Sequence, residues 1–131
     1  MGLELKKFIV CDDVRVENTG KLIIIGMYSE DKIIVHSSFP YTHPSLSLFL
    51  YFQGPFKSGE LFCQILTESG EPLIALPPVI IHESGNDVQT TLGVNQLVIP
   101  EPGAYKVSLL FPHTKTPFEV PFYILQSNPP I

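Results

Sequence analysis

The sequence has no tryptophan, only two alanines and few charged residues. Charged residues make up 16% of its 131 residues, whereas about a quarter is usual for soluble domains. Because hydrophobic residues make up 44%, the composition excludes a disordered chain, which combines high charge with low hydrophobicity. The scarcity of alanine, together with 13 prolines and 9 glycines, disfavours long helices and favours short strands separated by turns.

Positive charge is also scarce. The chain has 8 basic and 13 acidic residues, a net charge of −5, and the basic residues are scattered singly apart from Lys6 and Lys7. Nucleic-acid binding requires a basic stripe, so nucleic acid is not expected as a partner. No apolar run approaches the length of a membrane span, and the first residues lack the pattern of a secretory signal. We therefore expect no membrane partner and a cytoplasmic location.

The only cysteines, Cys11 and Cys63, both lie in strand-like segments. One hypothesis is a disulfide that joins two sheets, and the other is a pair of buried reduced thiols that behave as small apolar groups. The lack of a secretory signal favours reduced thiols. The two residues are too far apart in sequence for a CxxC redox or zinc motif.

The clearest local pattern covers residues 7–28, KFIVCDDVRVENTGKLIIIGMY. It begins with residues of high strand preference. It breaks at Asn18-Thr19-Gly20, where Asn and Gly tolerate the positive φ of a tight reversal. The following segment, Leu22–Ile25, is apolar throughout. Since a continuous apolar run is typical of a strand covered on both faces, the pattern predicts a hairpin whose second strand is central in a sheet.

Short strand patterns continue at spacings of roughly ten residues, about nine strands in all, with no helix of convincing length. Pro77-Pro78 predict that the strand over residues 73–81 lies at a sheet edge or switches between sheets. Pro117 and Pro121 predict that the strand over residues 118–124 lies at a sheet edge. The spacing of the strands predicts a single all-β domain over residues 1–125, an antiparallel β-sandwich of immunoglobulin-like type. Residues 126–131 are predicted to form a loose tail. By analogy with that fold, Tyr105 is expected near a corner with its hydroxyl bonded to backbone.

Alternation along each strand assigns one face to the core. The inward rows are Leu46, Leu48, Leu50 and Phe52; Leu61, Cys63 and Ile65; Tyr105, Val107, Leu109 and Phe111; and Phe118, Val120, Phe122 and Ile124. Large apolar residues also occupy the opposite faces, among them Phe49, Tyr51, Phe62, Leu66, Leu110, Tyr123 and Leu125. Either some faces are inverted or covered by loops, or these residues form an interaction surface, since exposed apolar patches mark protein contacts.

The opening residues also resemble a known family. Cys11-Asp12-Asp13-Val14-Arg15, then Gly20-Lys21, then Ile25-Gly26 and Tyr28, resemble the start of an uncharacterised family of small bacterial all-β proteins. The resemblance implies a bacterial or phage origin and a cytosolic setting. It implies no catalytic residues.

Polar residues form no motif of an enzyme or a metal site. Asp13 and Arg15 are two residues apart and share a strand face. They could anchor a ligand or a metal, but we favour the interpretation that they form a structural ion pair. The four histidines lie next to predicted loops without the spacing of zinc ligands. The acidic turns at residues 30–31 and 83–87 lack the EF-hand pattern, so solvated turns are favoured over calcium sites. We expect no catalytic residue, metal or cofactor.

The lack of catalytic and metal-binding motifs, together with the apolar residues on outward strand faces, predicts a non-enzymatic protein-interaction or structural module. It would self-associate through a sheet face lined by Phe49, Tyr51, Phe62, Leu66, Tyr123 and Leu125, so a homo-oligomer is expected. The alternative is a small-ligand binder or an enzyme whose loops bring Tyr41, His43, His82 and His113 to one pocket. A weaker alternative, suggested by fold type alone, is a phage structural component.

Overall fold

The computed structural model describes residues 2–127. It is 67% strand and contains no α-helix in that range. The strands, in chain order, are β1 (Glu4–Cys11), β2 (Asp13–Val16), β3 (Leu22–Ile25), β4 (Lys32–Val35), β5 (Tyr41–Phe56), β6 (Gly59–Thr67), β7 (Pro72–Ala75), β8 (Val79–Ile81), β9 (Gly85–Ile99), β10 (Gly103–Leu110) and β11 (Phe118–Gln126). A single 3-10 turn at Ser29–Asp31 precedes β4. The all-β prediction is confirmed.

The strands form three sheets. One has three strands in the order β1-β5-β9, another has β4-β11-β10-β6-β7 with β8 also paired to β6, and β2 pairs only with β3. Every pairing is antiparallel except that of β4 with β11. One sheet curls as a half-barrel.

One hydrophobic core joins the inner faces of the two larger sheets. It contains the predicted rows of β5, β6 and β10, together with Phe111, Phe122 and Ile124. These rows were predictable because alternation along a strand is a local property of the backbone. Phe118 packs against the core while partly buried, and Val120 is also partly buried.

The prediction that Leu22–Ile25 is central in a sheet is wrong. β3 belongs to a separate two-stranded ribbon, in which Ile24 pairs with Val14 and Ile23 with Arg15. Ile23 and Ile25 are exposed. An apolar run shows that both faces of a strand are apolar, but it does not show that other strands flank it.

The edge prediction for residues 118–124 is wrong for the strand as a whole, because β11 lies between β10 and β4. Its proline is nevertheless tolerated for the expected reason. β4 pairs only with residues from Tyr123 to Gln126. Pro121 therefore has a neighbouring strand on one side only, where it pairs with Lys106 of β10. Proline cannot donate to a ladder and needs such a one-sided position.

The two prolines within residues 36–45 predict a loop there, but the loop is shorter, because β5 begins at Tyr41. Pro44 falls in the pairing gap between His43↔Leu97 and Ser45↔Asn95. Gln96, the residue of β9 in the same gap, has a φ of 56°. The irregular backbone at this point removes the need for a ladder hydrogen bond from the proline.

Tyr105 confirms the prediction of a tyrosine whose hydroxyl is bonded to backbone. The Tyr105 hydroxyl donates to the carbonyl of Glu101, four residues upstream. The ring is buried and stacks on Phe122 with 5.8 Å between centroids. The bond fixes the turn between β9 and β10.

Two further predictions concern the cysteines and the tail. Cys11 and Cys63 are both free and buried, as the reduced-thiol hypothesis expected. β11 extends to Gln126, one residue into the predicted tail, and the Ser127 N–H donates to the carbonyl of Val35 at 3.0 Å. These two positions are therefore held by hydrogen bonds. Residues 128–131 lie outside the described part of the chain.

Candidate functional site

Asp12, Tyr28, Tyr41 and His43 form the most connected group of polar side chains, which we call the polar cluster. Asp12 interrupts the first strand pattern between β1 and β2, and its N–H faces the carbonyls of Ile25 and Gly26 at 3.0 and 3.2 Å. The Tyr28 N–H donates to the carbonyl of Val10 at 2.9 Å. Both ends of the β2–β3 ribbon are therefore bonded to backbone at its base.

Gly26 provides the space for the Asp12 side chain. Its φ is +66°, and a Cβ at this position would overlap with Asp12 Oδ2. A side chain here would therefore face both an unfavourable backbone conformation and a steric clash. A glycine inside a strand pattern predicts a bulge or a close approach by another backbone, but here the approaching group is the Asp12 side chain.

A chain of hydrogen bonds runs through the polar cluster. The Tyr28 hydroxyl donates to Asp12 Oδ1 at 2.7 Å and lies 3.4 Å from His43 Nε2. The Tyr41 hydroxyl lies 3.1 Å from His43 Nδ1. Because a phenol has one proton, donation to Asp12 leaves the Tyr28 oxygen as an acceptor. The arrangement therefore favours the tautomer in which Nε2 donates to Tyr28 and Nδ1 accepts from Tyr41.

Burial sets the protonation states in the polar cluster. Loss of solvation lowers the pKa of the buried His43 ring, against the opposing charge of Asp12. Burial raises the pKa of the Tyr28 hydroxyl, and its bond to Asp12 raises it further. At neutral pH the cluster thus contains a neutral imidazole next to the protonated Tyr28 phenol. The lowered pKa of His43 and the raised pKa of Tyr28 are those expected in a partly buried hydrogen-bond network.

The four residues predicted to share a loop pocket are divided between two places. Tyr41 and His43 meet in the polar cluster at the start of β5. His113 packs against Phe111 with 5.6 Å between ring centroids, and it lines a cleft with Phe56 at the end of β5. His82 follows β8, which pairs with the start of β6 near this second location.

The cleft at the end of β5 has a volume of about 430 Å³ and is lined by Leu3, Phe56, Lys57, His113 and Thr114 among others. A second cleft of about 370 Å³ lies beside the turn between β9 and β10, with Glu68 and Glu101 among its residues. Within residues 2–127, no group of histidine, cysteine and acidic side chains is arranged to hold a metal ion.

Asp13 and Arg15 form the predicted ion pair, with Arg15 Nε 2.9 Å from Asp13 Oδ2. The Arg15 guanidinium holds the pKa of the Asp13 carboxyl below its usual value. Both side chains are largely solvated, so the pair contributes little to stability. Asp12 instead accepts a hydrogen bond from Tyr28. The two adjacent carboxylates therefore have different partners.

The residues predicted to form one interaction surface lie on two different sheets. Phe49 and Tyr51 are on β5, whereas Phe62, Leu66, Tyr123 and Leu125 are on the six-stranded sheet. Phe49 and Leu66 are buried and are thus unavailable to a partner. Tyr51 is partly buried, with Lys7 Nζ 5.8 Å from its ring centroid. Phe62, Tyr123 and Leu125 are exposed.

Two apolar surfaces contain residues that the sequence analysis missed. Ile34 is 56% exposed and pairs with Leu125. With Tyr123 these residues form what we call the contact patch. On and beside the β2–β3 ribbon, Val16, Ile23, Ile25 and Met27 are exposed, with Val16 on the opposite face from Ile23 and Ile25. Alternation in β4 could have identified Ile34 as outward-facing. Its contact with Leu125 was not predictable, because it depends on the parallel pairing of two strands far apart in sequence.

The described chain, residues 2–127, has no helix that is both long enough and apolar enough to cross a membrane.

The fold and surfaces define a small all-β domain with a hydrogen-bonded polar cluster and exposed apolar patches. A comparison with protein families matches residues 6–122 to DUF6941, a family of unknown function. The chain belongs to this family, which agrees with the resemblance to an uncharacterised family. A search of curated proteins finds no match.

Proposed function

We propose that this protein is a non-enzymatic β-sandwich module of immunoglobulin-like type that works by protein contact. It self-associates through the outer face of its six-stranded sheet. The observation that carries the proposal is the contact patch of Ile34, Tyr123 and Leu125, in which large apolar side chains on adjacent strands face solvent.

The register of β4 and β11 makes the contact patch continuous. Leu125 is directly opposite Ile34, and Tyr123 is two residues from Leu125 on the same face. The exposed fractions are 56% for Ile34, 41% for Leu125 and 36% for Tyr123. Full burial of a side chain such as Leu or Ile contributes about 1.5–3 kcal/mol, so covering these residues in two copies favours association.

The position of the patch also suits a partner. β4 is at the end of the six-stranded sheet, so a second copy can approach this face from the open side. The Lys32 side chain, opposite Tyr123 in the register, supplies a charged rim next to the apolar residues. Apolar centres with charged rims are typical of protein interfaces.

Two features support the sandwich assignment. The inner faces of the two larger sheets share one core, and the hydroxyl of Tyr105 bonds to backbone upstream of its strand, as in the tyrosine corner of immunoglobulin-like folds. A bacterial or phage origin, a cytoplasmic location and a role as a phage structural component remain predictions from the sequence.

The test compares Leu125→Glu with Phe62→Glu in light scattering coupled to size exclusion. Phe62 is the matched control, because it is on the same sheet face with a similar exposed fraction of 43% but lies on β6, away from the patch. We expect Leu125→Glu to shift the protein to monomer, since a buried unpaired charge opposes association. Equal masses for both variants would contradict the proposal.

The alternative function is binding of a small ligand, and the cleft beside Phe56 and His113 is its best location. It combines apolar walls with an imidazole and the Lys57 amine, as ligand sites do. A fragment screen followed by NMR tests this hypothesis. Shifts confined to residues around the cleft, and lost in His113→Ala, would support it.

A further inference from the structure

We propose that the open edge of β9, the side not paired with β5, binds an extended basic segment of another protein as an added strand. This interaction goes beyond the proposed self-association, because it uses a different sheet and a different kind of partner. It rests on the backbone of β9, on a comparison with the other sheet edges and on the distribution of charge.

β9 has 15 residues, and its ladder with β5 extends from Gly85↔Phe56 to Ile99↔Tyr41. That ladder uses one side of the strand. Within residues 2–127, no backbone hydrogen bond connects the other side to another segment. A row of unpaired N–H and C=O groups is a template for another strand.

The other edges of the two larger sheets carry features that prevent strand addition. β1 has Glu4, Lys6 and Lys7, and the Tyr28 N–H already occupies the carbonyl of Val10. β4 has only four residues and begins with a lysine. β7 and β8 have four and three residues and are separated by Pro77-Pro78. β9 is long, contains no proline and has Asp87 as its only charged residue.

Acidic residues outnumber basic ones along β9, although Lys57 lies at its start, next to Phe56, which pairs with Gly85. Residues 58–105 contain no lysine or arginine, although they contain Glu60, Glu68, Glu71, Glu83, Asp87 and Glu101. Glu83 lies just before β9, Asp87 is within it, and Glu101 lies just after it. The edge therefore has an excess of negative charge, which favours a segment rich in lysine or arginine.

The same charges disfavour a second copy at this edge. Antiparallel pairing of two β9 strands about a two-fold axis brings the start of each strand to the end of the other. Glu83 and Asp87 of one copy would then approach Glu101 of its partner, and like charges on neighbouring strands are destabilising.

Alternation along β9 defines the pattern of the partner. Leu92 and Val94 are buried on the core side, whereas Gln89, Thr91 and Asn95 are exposed on the outer side. An added strand continues both rows. The partner is therefore an extended segment without proline in which apolar residues alternate with lysine or arginine.

The test uses a labelled peptide of roughly nine residues, a usual strand length, in which valine and lysine alternate. The matched control has the same side chains and charge on an N-methylated backbone, which cannot form a ladder. We expect binding of the first peptide in fluorescence anisotropy, with affinity at least about tenfold higher than that of the control, a difference of about 1.4 kcal/mol. We also expect increased hydrogen-exchange protection in β9.

Two protein variants complete the test. Thr91→Lys places a positive charge on the β9 edge, and Gln64→Lys places the same charge on β6, which has partners on both sides; both positions are exposed. We expect only Thr91→Lys to weaken binding, by about tenfold or more. Absence of binding, equal binding of the N-methylated peptide, or equal effects of the two variants would each overturn the proposal. Since none of these results depends on oligomeric state, failure here is distinct from failure of the proposed function.

Discussion

The hydroxyl of Tyr28 donates a 2.7 Å hydrogen bond to the carboxylate of Asp12, a residue 16 positions earlier in the chain. These residues flank the β2–β3 ribbon, one on each side. The bond therefore closes the base of the ribbon and holds it against the three-stranded sheet. His43, on β5 of that sheet, contacts the same hydroxyl.

Tyr28→Phe should destabilise the protein by about 1–2 kcal/mol, because one charge-assisted hydrogen bond is lost and His43 Nε2 loses its partner. Urea unfolding measures the change. Tyr41→Phe is the comparison, since it removes only the bond to His43 Nδ1 and should cost less. Equal stability of Tyr28→Phe and wild type would show that the bond does not hold the ribbon.

Gly26→Ala should cost about 1–3 kcal/mol, because it combines strain at positive φ with a clash against the Asp12 carboxylate. Gly20→Ala separates the two causes, since Gly20 also has a positive φ of 88° but open space around it. In an Asp12→Ala background the cost of Gly26→Ala should fall towards that of Gly20→Ala. A cost independent of Asp12 would argue against the clash.

The local elements were predictable from sequence, whereas the contacts that create the polar cluster were not. Alternation identified the inward row from Leu46 to Phe52, because side-chain direction depends only on position along a strand. The cluster depends on pairings between residues far apart in sequence, such as Tyr28 with His43. Tyr41 and His43 were selected as loop residues, but their partners Asp12 and Tyr28 were not.

The exposure of outward-facing residues was also not predictable from the alternation of single strands. Phe49 and Leu66 are on outward faces, as alternation predicted, yet they are buried. Ile23 and Ile25 were predicted to be covered and are exposed. Which outward face is covered depends on the packing of separate sheets, and the alternation of a single strand does not contain that information.

His43 should make the protein less stable in acid. Burial lowers its pKa in the folded protein below the ordinary value of 6.5, so the unfolded chain binds the proton first as pH falls. The contribution of the neutral His43 ring to the free energy of unfolding is complete above pH 6.5. It is lost as the pH falls from that value through the lower pKa of the folded protein. Urea unfolding from pH 8 to pH 5 should show this loss, and His43→Gln should reduce it. An equal loss in His43→Gln and in the comparison variant His82→Gln would assign the effect elsewhere.

The two cysteines should be unreactive in the folded protein. Both side chains are buried, and burial raises the pKa of Cys63 to about 12 and also raises the pKa of Cys11. Thiolates are the reactive form, so a thiol reagent such as DTNB should label neither residue at neutral pH. Both should react in denaturant. Rapid labelling of the native protein would contradict their placement.

The central claim is that the protein works by contact with other protein molecules and first of all with itself. Sedimentation velocity of the wild-type protein over a wide concentration range tests it most directly. The account predicts a weight-average mass that rises above the monomer mass of 14.6 kDa as concentration increases. A mass that stays at 14.6 kDa at every concentration would contradict self-association and leave the contact patch without its proposed role.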